Sequence, residues 1–447
     1  MMRIRCIFGL SLLMSVAILS CSSPNILVKG KRKELKKQIE QDPIFQAQFT
    51  GFALYDPVVD SLLVDVQAHR YFTPASNTKI LTLYTGLRIM GDSLPLLKYA
   101  LIGDTMIIKG TGYPGTEYAP LPESHQLQEF LQASKKIIAY ADVFEDDAFG
   151  PGWSWADFQW YYQAERNAMP LYGNVVAAKG DSLSRHVRMS PSYFSQLVYP
   201  VPDTSYPKGF IWRDQQENIF YYNGQPFDST GYERQIPMHL SAALTRSLLG
   251  DLAGRPVIAW QRPLENMQWQ TLYTEIPADS IYRHMMQVSD NFLAEQLLLT
   301  ASGVLTDTLQ AEKAIGFMLK EELKDLPDQP QWVDGSGLSR YNLTTPASTV
   351  RLLKYVYQLK GMTWIKGIFP VGGVSGTIEN WYAGPEGKPY VWAKTGSLQN
   401  NHCLSGFLEA RSGKVYIFSF MNNHFNGSAN PARRAMQQKL EWIYWNG

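Results

Sequence analysis

The sequence predicts an α+β fold in which one antiparallel sheet is closed by both ends of the chain. Strand-like runs lie near the N-terminus, at 49–56 and 61–68, and again near the C-terminus, at 390–393, 404–410 and 415–421. Helical periodicity dominates much of the chain between them. Strands at both ends with helices in the middle are typical of layered α+β domains.

The composition is that of a globular protein without a strong charge preference. Of the 447 residues, 45% are hydrophobic, and 41 basic residues balance 40 acidic ones. No field of one sign favours a polyanion, so we expect no nucleic-acid partner. The seven histidines lack metal-ligand spacing and no glycine-rich phosphate loop is present, so we expect neither a metal nor another cofactor.

Residues 1–20 have the layout of a signal peptide. Arg3 and Arg5 precede an apolar segment over 7–19, which is short for a membrane span. Cys21 follows in a context that resembles a bacterial lipoprotein box. We therefore expect lipidation at Cys21 and a periplasmic, membrane-anchored protein. The alternative is an N-terminal anchor helix that is never cleaved.

The order of the elements predicts a domain interrupted by an insertion. A basic helix to about residue 48 and the first hairpin lead to a second helix that ends near residue 91. Short strands punctuated by glycine and proline then follow, and they predict one or more inserted β-rich domains over 92–237. Residues 21–91 and 238–447 are expected to form the main domain. An aromatic cluster at 153–162 is expected to pack in a core, although it could also stack on sugars.

The helical period returns after the insertion, and the chain closes on strands and a last helix. A four-residue turn at 411–414 is expected to join the last two strands. The predicted helices cover 239–252, 279–288, 292–301, 309–323 and 431–444.

The second helix begins with an unusual polar pair. Ser76 and Lys79 are three residues apart, so they share one face of a helix and bring an amine beside a hydroxyl. Pro74 is tolerated at a helix start, and the apolar residues that follow indicate a buried helix. Taken alone, this spacing is more often a capping serine with a solvated lysine.

Two later stretches change that interpretation. Together with the Ser76–Lys79 pair, and in this order along the chain, they form the signature of serine acyltransferases of the penicillin-binding and β-lactamase type. The first lies between helical segments and the second ends an apolar strand. They are Ser289-Asp290-Asn291 and Lys394-Thr395-Gly396-Ser397.

The chemistry explains why these residue types occur together. The hydroxyl of Ser76 needs a base, and Lys79 can serve if its pKa is lowered by desolvation and by the charge of Lys394. Ser289 can relay a proton to a leaving amine, and Asn291 can hold Lys79 or a substrate amide. These roles predict an acyl-enzyme on Ser76.

The strand that ends at residue 397 supplies the expected substrate-binding groups. Lys394 and the hydroxyls of Thr395 and Ser397 can bind a terminal carboxylate through charge-assisted hydrogen bonds. Gly396 lets the backbone approach the substrate closely. The N–H groups of Ser76 and Ser397 are expected to form the oxyanion hole.

Two glycine-containing stretches make the resemblance more specific. Residues 334–340 and 369–377, together with the three-part signature, resemble one family. It is the D-alanyl-D-alanine carboxypeptidase/endopeptidase family, peptidase family S13, the low-molecular-mass class C penicillin-binding proteins. A further turn at 110–114 is similar, except that Tyr113 stands where the family usually has aspartate. The resemblance implies a penicillin-binding protein/β-lactamase-like transpeptidase fold. It also implies peptidoglycan stem peptides as substrates, release of terminal D-Ala with cleavage of the peptide cross-bridge by some members, and β-lactams as covalent inhibitors.

Two alternatives stay open at this point. The gap between Ser76 and Ser289 is far longer than in a class A β-lactamase, which resembles this chain only in the spacing from Ser289 to Lys394. A β-lactamase would also need a deacylating base, which the sequence does not reveal. The other alternative is a non-catalytic peptidoglycan-binding lipoprotein, which would need neither Lys79 nor Ser289.

Overall fold

The computed structural model describes most of the chain in five pieces. The predicted signal peptide and Cys21 lie outside the described residues. Within the described part, no helix combines the length and the apolar character needed to cross a membrane. The described residues are 27–180, 186–201, 205, 210–223 and 232–447.

A five-stranded antiparallel sheet joins the two ends of the chain, which confirms the predicted α+β arrangement. Its strand order is β14-β15-β16-β1-β2, so the last strand of the chain pairs with the first. Phe52 of β1, for example, lies opposite Phe420 of β16. The five strands are β1 (Phe49–Asp56), β2 (Ser61–Val66), β14 (Val391–Leu398), β15 (Asn401–Glu409) and β16 (Val415–Asn423).

Helices cover both faces of this sheet because successive strand residues point to opposite sides. On one face, Phe52 and Phe418 share a buried cluster with α1 (Lys29–Glu40) and α10 (Asn430–Asn446). On the other face, Ala53 and its strand neighbours belong to a cluster with α3 (Lys79–Ile89) and α9 (Pro346–Ile368). The helix that begins at Lys79 is therefore fixed to the sheet by apolar packing.

The expected single helix to residue 48 is wrong, because the chain forms α1 and a separate short helix α2 (Pro43–Gln46). Pro43 has no N–H for a continuous helical ladder, and Asp42 caps the new start by accepting from the N–H of Ile44. A long helix α9 was not predicted. Its start follows ordinary rules, because Thr345 caps it and Pro346 occupies its first position.

The remaining predicted helices agree with the observed ones to within a few residues, except that α8 ends early in a π-helical turn at Met318–Glu322. Helix α4 was not predicted. In chain order, the helices between α2 and α10 are α3 (Lys79–Ile89), α4 (Gln126–Ala133), α5 (Ala242–Ala253), α6 (Ala278–Gln287), α7 (Asn291–Thr306), α8 (Ala311–Phe317) and α9 (Pro346–Ile368).

A second five-stranded sheet lies in the interrupted part of the chain, with the order β12-β5-β4-β3-β13. β12 and β13 follow residue 237, yet they pair with strands that precede it. The expected domain limits stay a prediction. The pairing is relevant to the limit expected at 237, because it joins strands from both sides of that residue into one sheet. The strands are β3 (Pro95–Ile102), β4 (Thr105–Gly110), β5 (Ile137–Tyr140), β12 (Val257–Ala259) and β13 (Gln270–Tyr273).

Two three-stranded sheets complete the insertion, with the orders β11-β6-β7 and β8-β10-β9. The nearby aromatic cluster does not pack as expected: Trp155 is 80% exposed, Tyr161 61% and Trp160 38%. The strands are β6 (Val175–Gly180), β7 (Val187–Ser190), β8 (Val198–Pro200), β9 (Ile211–Arg213), β10 (Phe220–Tyr222) and β11 (Tyr232–Pro237).

Candidate active site

Ser76 lies in a short 3-10 turn, Ala75–Thr78, that runs directly into α3. Lys79 is the first residue of α3, and its Nζ lies 3.0 Å from Ser76 Oγ. Ser76 is partly exposed whereas Lys79 is completely buried. The helix start therefore presents a hydroxyl to the cleft and an amine beneath it.

Two glycines let other segments approach this turn closely. A Cβ on Gly337 would lie 1.9 Å from the carbonyl oxygen of Ala75, and a Cβ on Gly396 would lie 2.2 Å from that of Pro74. Gly337 also has φ +80°, which favours glycine. The loop that contains Gly337 and strand β14 therefore pack closely against the turn that contains Ser76.

The amine of Lys79 has three oxygen neighbours with distinct chemistry. Besides Ser76, it donates to Asn291 Oδ1 at 2.6 Å and to the carbonyl oxygen of Ser336 at 2.7 Å. Both of these oxygens can only accept. A neutral amine has two N–H groups for them and one lone pair left, and the geometry directs that lone pair to the Ser76 hydroxyl.

The predicted lowering of the Lys79 pKa is confirmed. Complete burial lowers the pKa of Lys79 to about 8, while the carboxylates of Asp334, Glu295 and Asp290 oppose the shift. Lys394 is not among the causes of this shift; repulsion between the two lysines instead lowers the pKa of Lys394. Lys79 is thus a buried amine whose neutral form is accessible near neutral pH.

The opposing carboxylates are held by hydrogen bonds behind Lys79. Glu295 Oε1 accepts from the N–H of Ser336 at 2.7 Å, and burial raises the pKa of Glu295 to about 7. Asp334 accepts from four donors, including Trp153 Nε1 at 2.9 Å and the N–H of Gly337 at 2.8 Å. Both acids fix the loop whose Ser336 carbonyl contacts Lys79.

Asn291 is placed by the start of α7. Asp290 caps that helix by accepting from the N–H of Leu293 at 2.9 Å. The amide of Asn291 donates from Nδ2 to the carbonyl oxygen of Tyr162 at 2.9 Å, so its Oδ1 faces Lys79. The segment that contains Tyr162 therefore orients the amide oxygen that Lys79 contacts.

Lys394 lies beside Ser289 and is completely buried. Its Nζ donates to Ser289 Oγ and to the carbonyl oxygen of Thr395, both at 2.8 Å. Burial, with repulsion from Lys79, holds the pKa of Lys394 well below its usual value. The structure places Ser289 against Lys394, and the Lys79 amine makes its hydrogen bonds to other groups.

The end of β14 presents the remaining predicted residues at the sheet edge. Thr395 Oγ1 donates to Thr377 Oγ1 at 2.7 Å, and Ser397 Oγ lies 2.8 Å from Nδ1 of His402. Asn77, which is in the same turn as Ser76, donates to the carbonyl oxygen of Lys394 at 3.0 Å and so joins the strand to that turn.

All eight site residues predicted within the described chain therefore lie in one cluster, and their roles stay predictions. Sequence reasoning did not identify Glu295, Tyr162 or His402. Glu295 follows Asn291 by one helical turn, a spacing that could have placed both on one face of α7. Within the described residues, no group of three or more histidine, cysteine or acidic side chains could hold a metal ion.

Comparisons with known proteins agree on one family. The model of the D-Ala-D-Ala carboxypeptidase 3 (S13) family matches residues 31–196 and 272–442. D-alanyl-D-alanine carboxypeptidase DacB of Haemophilus influenzae is 23% identical over 443 residues, which is 89% of this chain and 90% of that protein.

Solved structures show a similar fold. The crystal structure of penicillin binding protein 4 (dacB) from Haemophilus influenzae has a TM-score of 0.69 at 20% identity, covering 92% of this chain and 98% of that one. The same protein complexed with a β-lactam has a TM-score of 0.64 at 19% identity, with the same coverage. The predicted penicillin-binding protein-like fold is confirmed.

Proposed function

The chain belongs to the D-Ala-D-Ala carboxypeptidase 3 (S13) family, and we propose that it works through an acyl-enzyme on Ser76. It is a serine-type DD-peptidase that acts on the D-Ala-D-Ala ends of peptidoglycan stem peptides. The observation that supports Ser76 is its hydroxyl, 3.0 Å from a buried amine whose other neighbours accept hydrogen bonds. The residues around Ser76 have separate roles in this reaction.

Acylation begins with proton transfer from Ser76 to Lys79. The neutral amine takes the hydroxyl proton while Ser76 Oγ forms a bond to the carbonyl carbon of the penultimate D-Ala. Asn291 Oδ1 and the Ser336 carbonyl hold the resulting ammonium, and the nearby carboxylates stabilise its charge. The base is therefore held in place before the substrate arrives.

The oxyanion is assigned to the N–H groups of Ser76 and Ser397. Ser76 lies in the first turn of a helical segment, where N–H groups lack a helical partner. Ser397 is on β14, an edge strand of the sheet, so part of its backbone faces away from its neighbour strand. Both donors are rigid because the glycine contacts fix the strand against the turn.

Ser289 is assigned to proton delivery to the leaving nitrogen. Lys394 donates to Ser289 Oγ, so the hydroxyl hydrogen of Ser289 is free to point into the cleft. As the C–N bond breaks, Ser289 gives its proton to the departing D-Ala, and the proton held by the Lys79 ammonium then restores the Ser289 hydroxyl. This return requires Ser289 Oγ, which contacts Lys394 in the structure, to turn toward Lys79. Water then attacks the acyl carbon and Lys79 takes its proton. Lys79 passes that proton to Ser76 Oγ as the C–O bond to the serine breaks, which releases the acid product and restores the Ser76 hydroxyl.

The terminal carboxylate of the substrate is assigned to Lys394, Thr395 and Ser397. A carboxylate would provide the negative charge that Lys394 lacks, and the two hydroxyls lie beside it on the same strand. β-Lactams carry a comparable carboxylate and an acylating carbonyl, so they should react covalently with Ser76. Peptidoglycan as a substrate and the expected lipid anchor at Cys21 would both place the protein in the periplasm.

Purified muropeptides with mass analysis test this assignment. Wild type should release one D-Ala from pentapeptide stems, and a fluorescent penicillin should label it; Ser76→Ala should do neither. Ser247→Ala, on an exposed face of α5, is the matched control and should behave as wild type. Equal labelling of Ser76→Ala would remove Ser76 as the nucleophile, and rapid nitrocefin turnover without D-Ala release would favour a β-lactamase. Cleavage of muropeptide dimers would reveal endopeptidase action.

A further inference from the structure

His402 lies directly behind Ser397 in the main sheet. The two residues are opposite each other on β15 and β14, and Nδ1 of His402 is 2.8 Å from Ser397 Oγ. Ser397 is exposed to the cleft, whereas His402 is only 1% exposed. The histidine cannot reach substrate itself, so any effect it has must pass through the serine.

The other ring nitrogen of His402 has no hydrogen-bond partner within the described part of the chain. Nε2 is buried, and Asn422 on β16 lies opposite His402 in the sheet. The amide of Asn422 is already used, because its Oδ1 accepts from Gln48 and Thr50 and its Nδ2 contacts the sulfur of Met436. Among the described residues, the ring therefore has one hydrogen-bonded nitrogen, Nδ1, and one buried nitrogen without a protein partner, Nε2.

This unpaired nitrogen decides which tautomer is favoured. Burial and the nearby charge of Arg433 lower the pKa of His402 to about 3, so the ring is neutral and carries one proton. If that proton were on Nε2, a buried N–H donor would be left unsatisfied. Buried unsatisfied N–H groups are rarer than under-satisfied acceptors, which favours the proton on Nδ1.

We propose that His402 is a positioning residue that donates its Nδ1–H to Ser397 Oγ and thereby turns the Ser397 hydroxyl hydrogen toward the terminal carboxylate of the substrate. With its oxygen occupied by the histidine, Ser397 has its own O–H free to donate. The hydroxyl is then fixed as a donor before substrate binds, and a charged acceptor strengthens that bond. This inference rests on the proposed function, because it needs a carboxylate substrate at Ser397.

Paired substrates test the proposal. An acyl-D-Ala-D-Ala peptide and its C-terminal amide differ in the carboxylate that Ser397 would bind. We expect His402→Phe to lower kcat/KM for the acid about tenfold, mainly through KM, and to leave the amide nearly unchanged. His402→Asn, whose Nδ2–H can replace Nδ1–H, should restore most of the loss. Adding Ser397→Ala to His402→Phe should cost no more than Ser397→Ala alone.

Three results would overturn the proposal. Equal losses on the acid and the amide would make His402 merely structural, and an unchanged acid reaction in His402→Phe would remove its effect on Ser397. For wild type, selective nitrogen-15 labelling of histidine reports the tautomer directly, with His402→Asn to assign the signal. A proton on Nε2 would contradict the account even if His402→Phe fails to fold. Failure of wild type to release D-Ala would instead overturn the proposed function, and this inference with it.

Discussion

Lys79 and Lys394 are both completely buried, but they have opposite electrostatic surroundings. Lys79 contacts an amide oxygen and a carbonyl oxygen; burial lowers its pKa to about 8, and three carboxylates limit that fall. Lys394 contacts a hydroxyl and a carbonyl, and the charge that acts on it is that of another lysine. Burial alone would favour the neutral form of both amines. The acids around Lys79 keep its pKa high enough for the amine to take up a proton.

The difference indicates what each lysine needs in order to work. Carboxylates of the protein itself stabilise the charge of protonated Lys79, as expected for a base that must accept a proton in every cycle. Among the described residues, Lys79 is the charge that shifts the Lys394 pKa, and a substrate carboxylate would supply an anion there. The following predictions separate these two roles, beginning with the largest effect.

Lys79→Ala should remove the base and reduce acylation of Ser76 by about a thousandfold, because positioned acid–base groups contribute on the order of 10²–10⁴ in rate. Stopped-flow or gel measurement of fluorescent penicillin capture reports this directly. The thermal midpoint checks that the variant is folded. Acylation within tenfold of wild type would assign the proton to another group.

Lys394→Ala should have a smaller effect that is concentrated in substrate binding. Loss of a charge-assisted contact to the terminal carboxylate should raise KM by about tenfold to a hundredfold, with a smaller change in kcat. Steady-state kinetics with an acyl-D-Ala-D-Ala peptide measure both constants. If kcat falls as far as in Lys79→Ala while KM is unchanged, the two lysines do not have the separate roles proposed here.

Glu295→Gln should shift the Lys79 titration without removing any contacting group of the amine. Loss of a nearby negative charge destabilises the ammonium, so the Lys79 pKa should fall and the acidic limb of acylation should move down by less than about one pH unit. Glu409→Gln, which alters an exposed ion pair with Lys366, is the control. An upward shift, or none relative to Glu409→Gln, would show that Glu295 does not tune Lys79.

Carboxylate binding should be accompanied by proton uptake. The folded Lys394 has a lowered pKa, and a bound anion raises it again, so at a fixed pH between these two values the site takes up a proton. Calorimetry of Ser76→Ala with a D-Ala-D-Ala peptide in buffers of different ionisation enthalpy measures this small effect. Proton release on binding would contradict the proposed role of Lys394.

Much of the main domain was predictable because its signals are local. Ser76 and Lys79 share a helix face, Asp290 caps α7 beside Asn291, and Lys394 directly follows a continuous apolar run at 390–393. Glu295 and His402 were missed, although both had signals. His402 is opposite Ser397 because a two-residue turn, with Asn400 at φ +69°, fixes the register of β14 and β15.

The insertion was less predictable because its pairing is long-range. β12 and β13 are three and four residues long, and they join a sheet whose other strands lie more than a hundred residues earlier. Short strands carry little periodicity, so nothing local sets a limit at residue 237. The exposure of Trp155 was also missed, since aromatic residues close together in sequence are ordinarily buried.

The pH dependence of Ser76 acylation tests the central claim most directly. The rate of benzylpenicillin capture, measured from about pH 5 to about pH 10, reports the free enzyme's essential base. The account predicts a tenfold rise per pH unit that levels off near the Lys79 pKa of about 8, and a loss of this limb in Lys79→Ala. A rate that is flat through this range, or a limb that persists in Lys79→Ala, would contradict the assignment of Lys79 as the base.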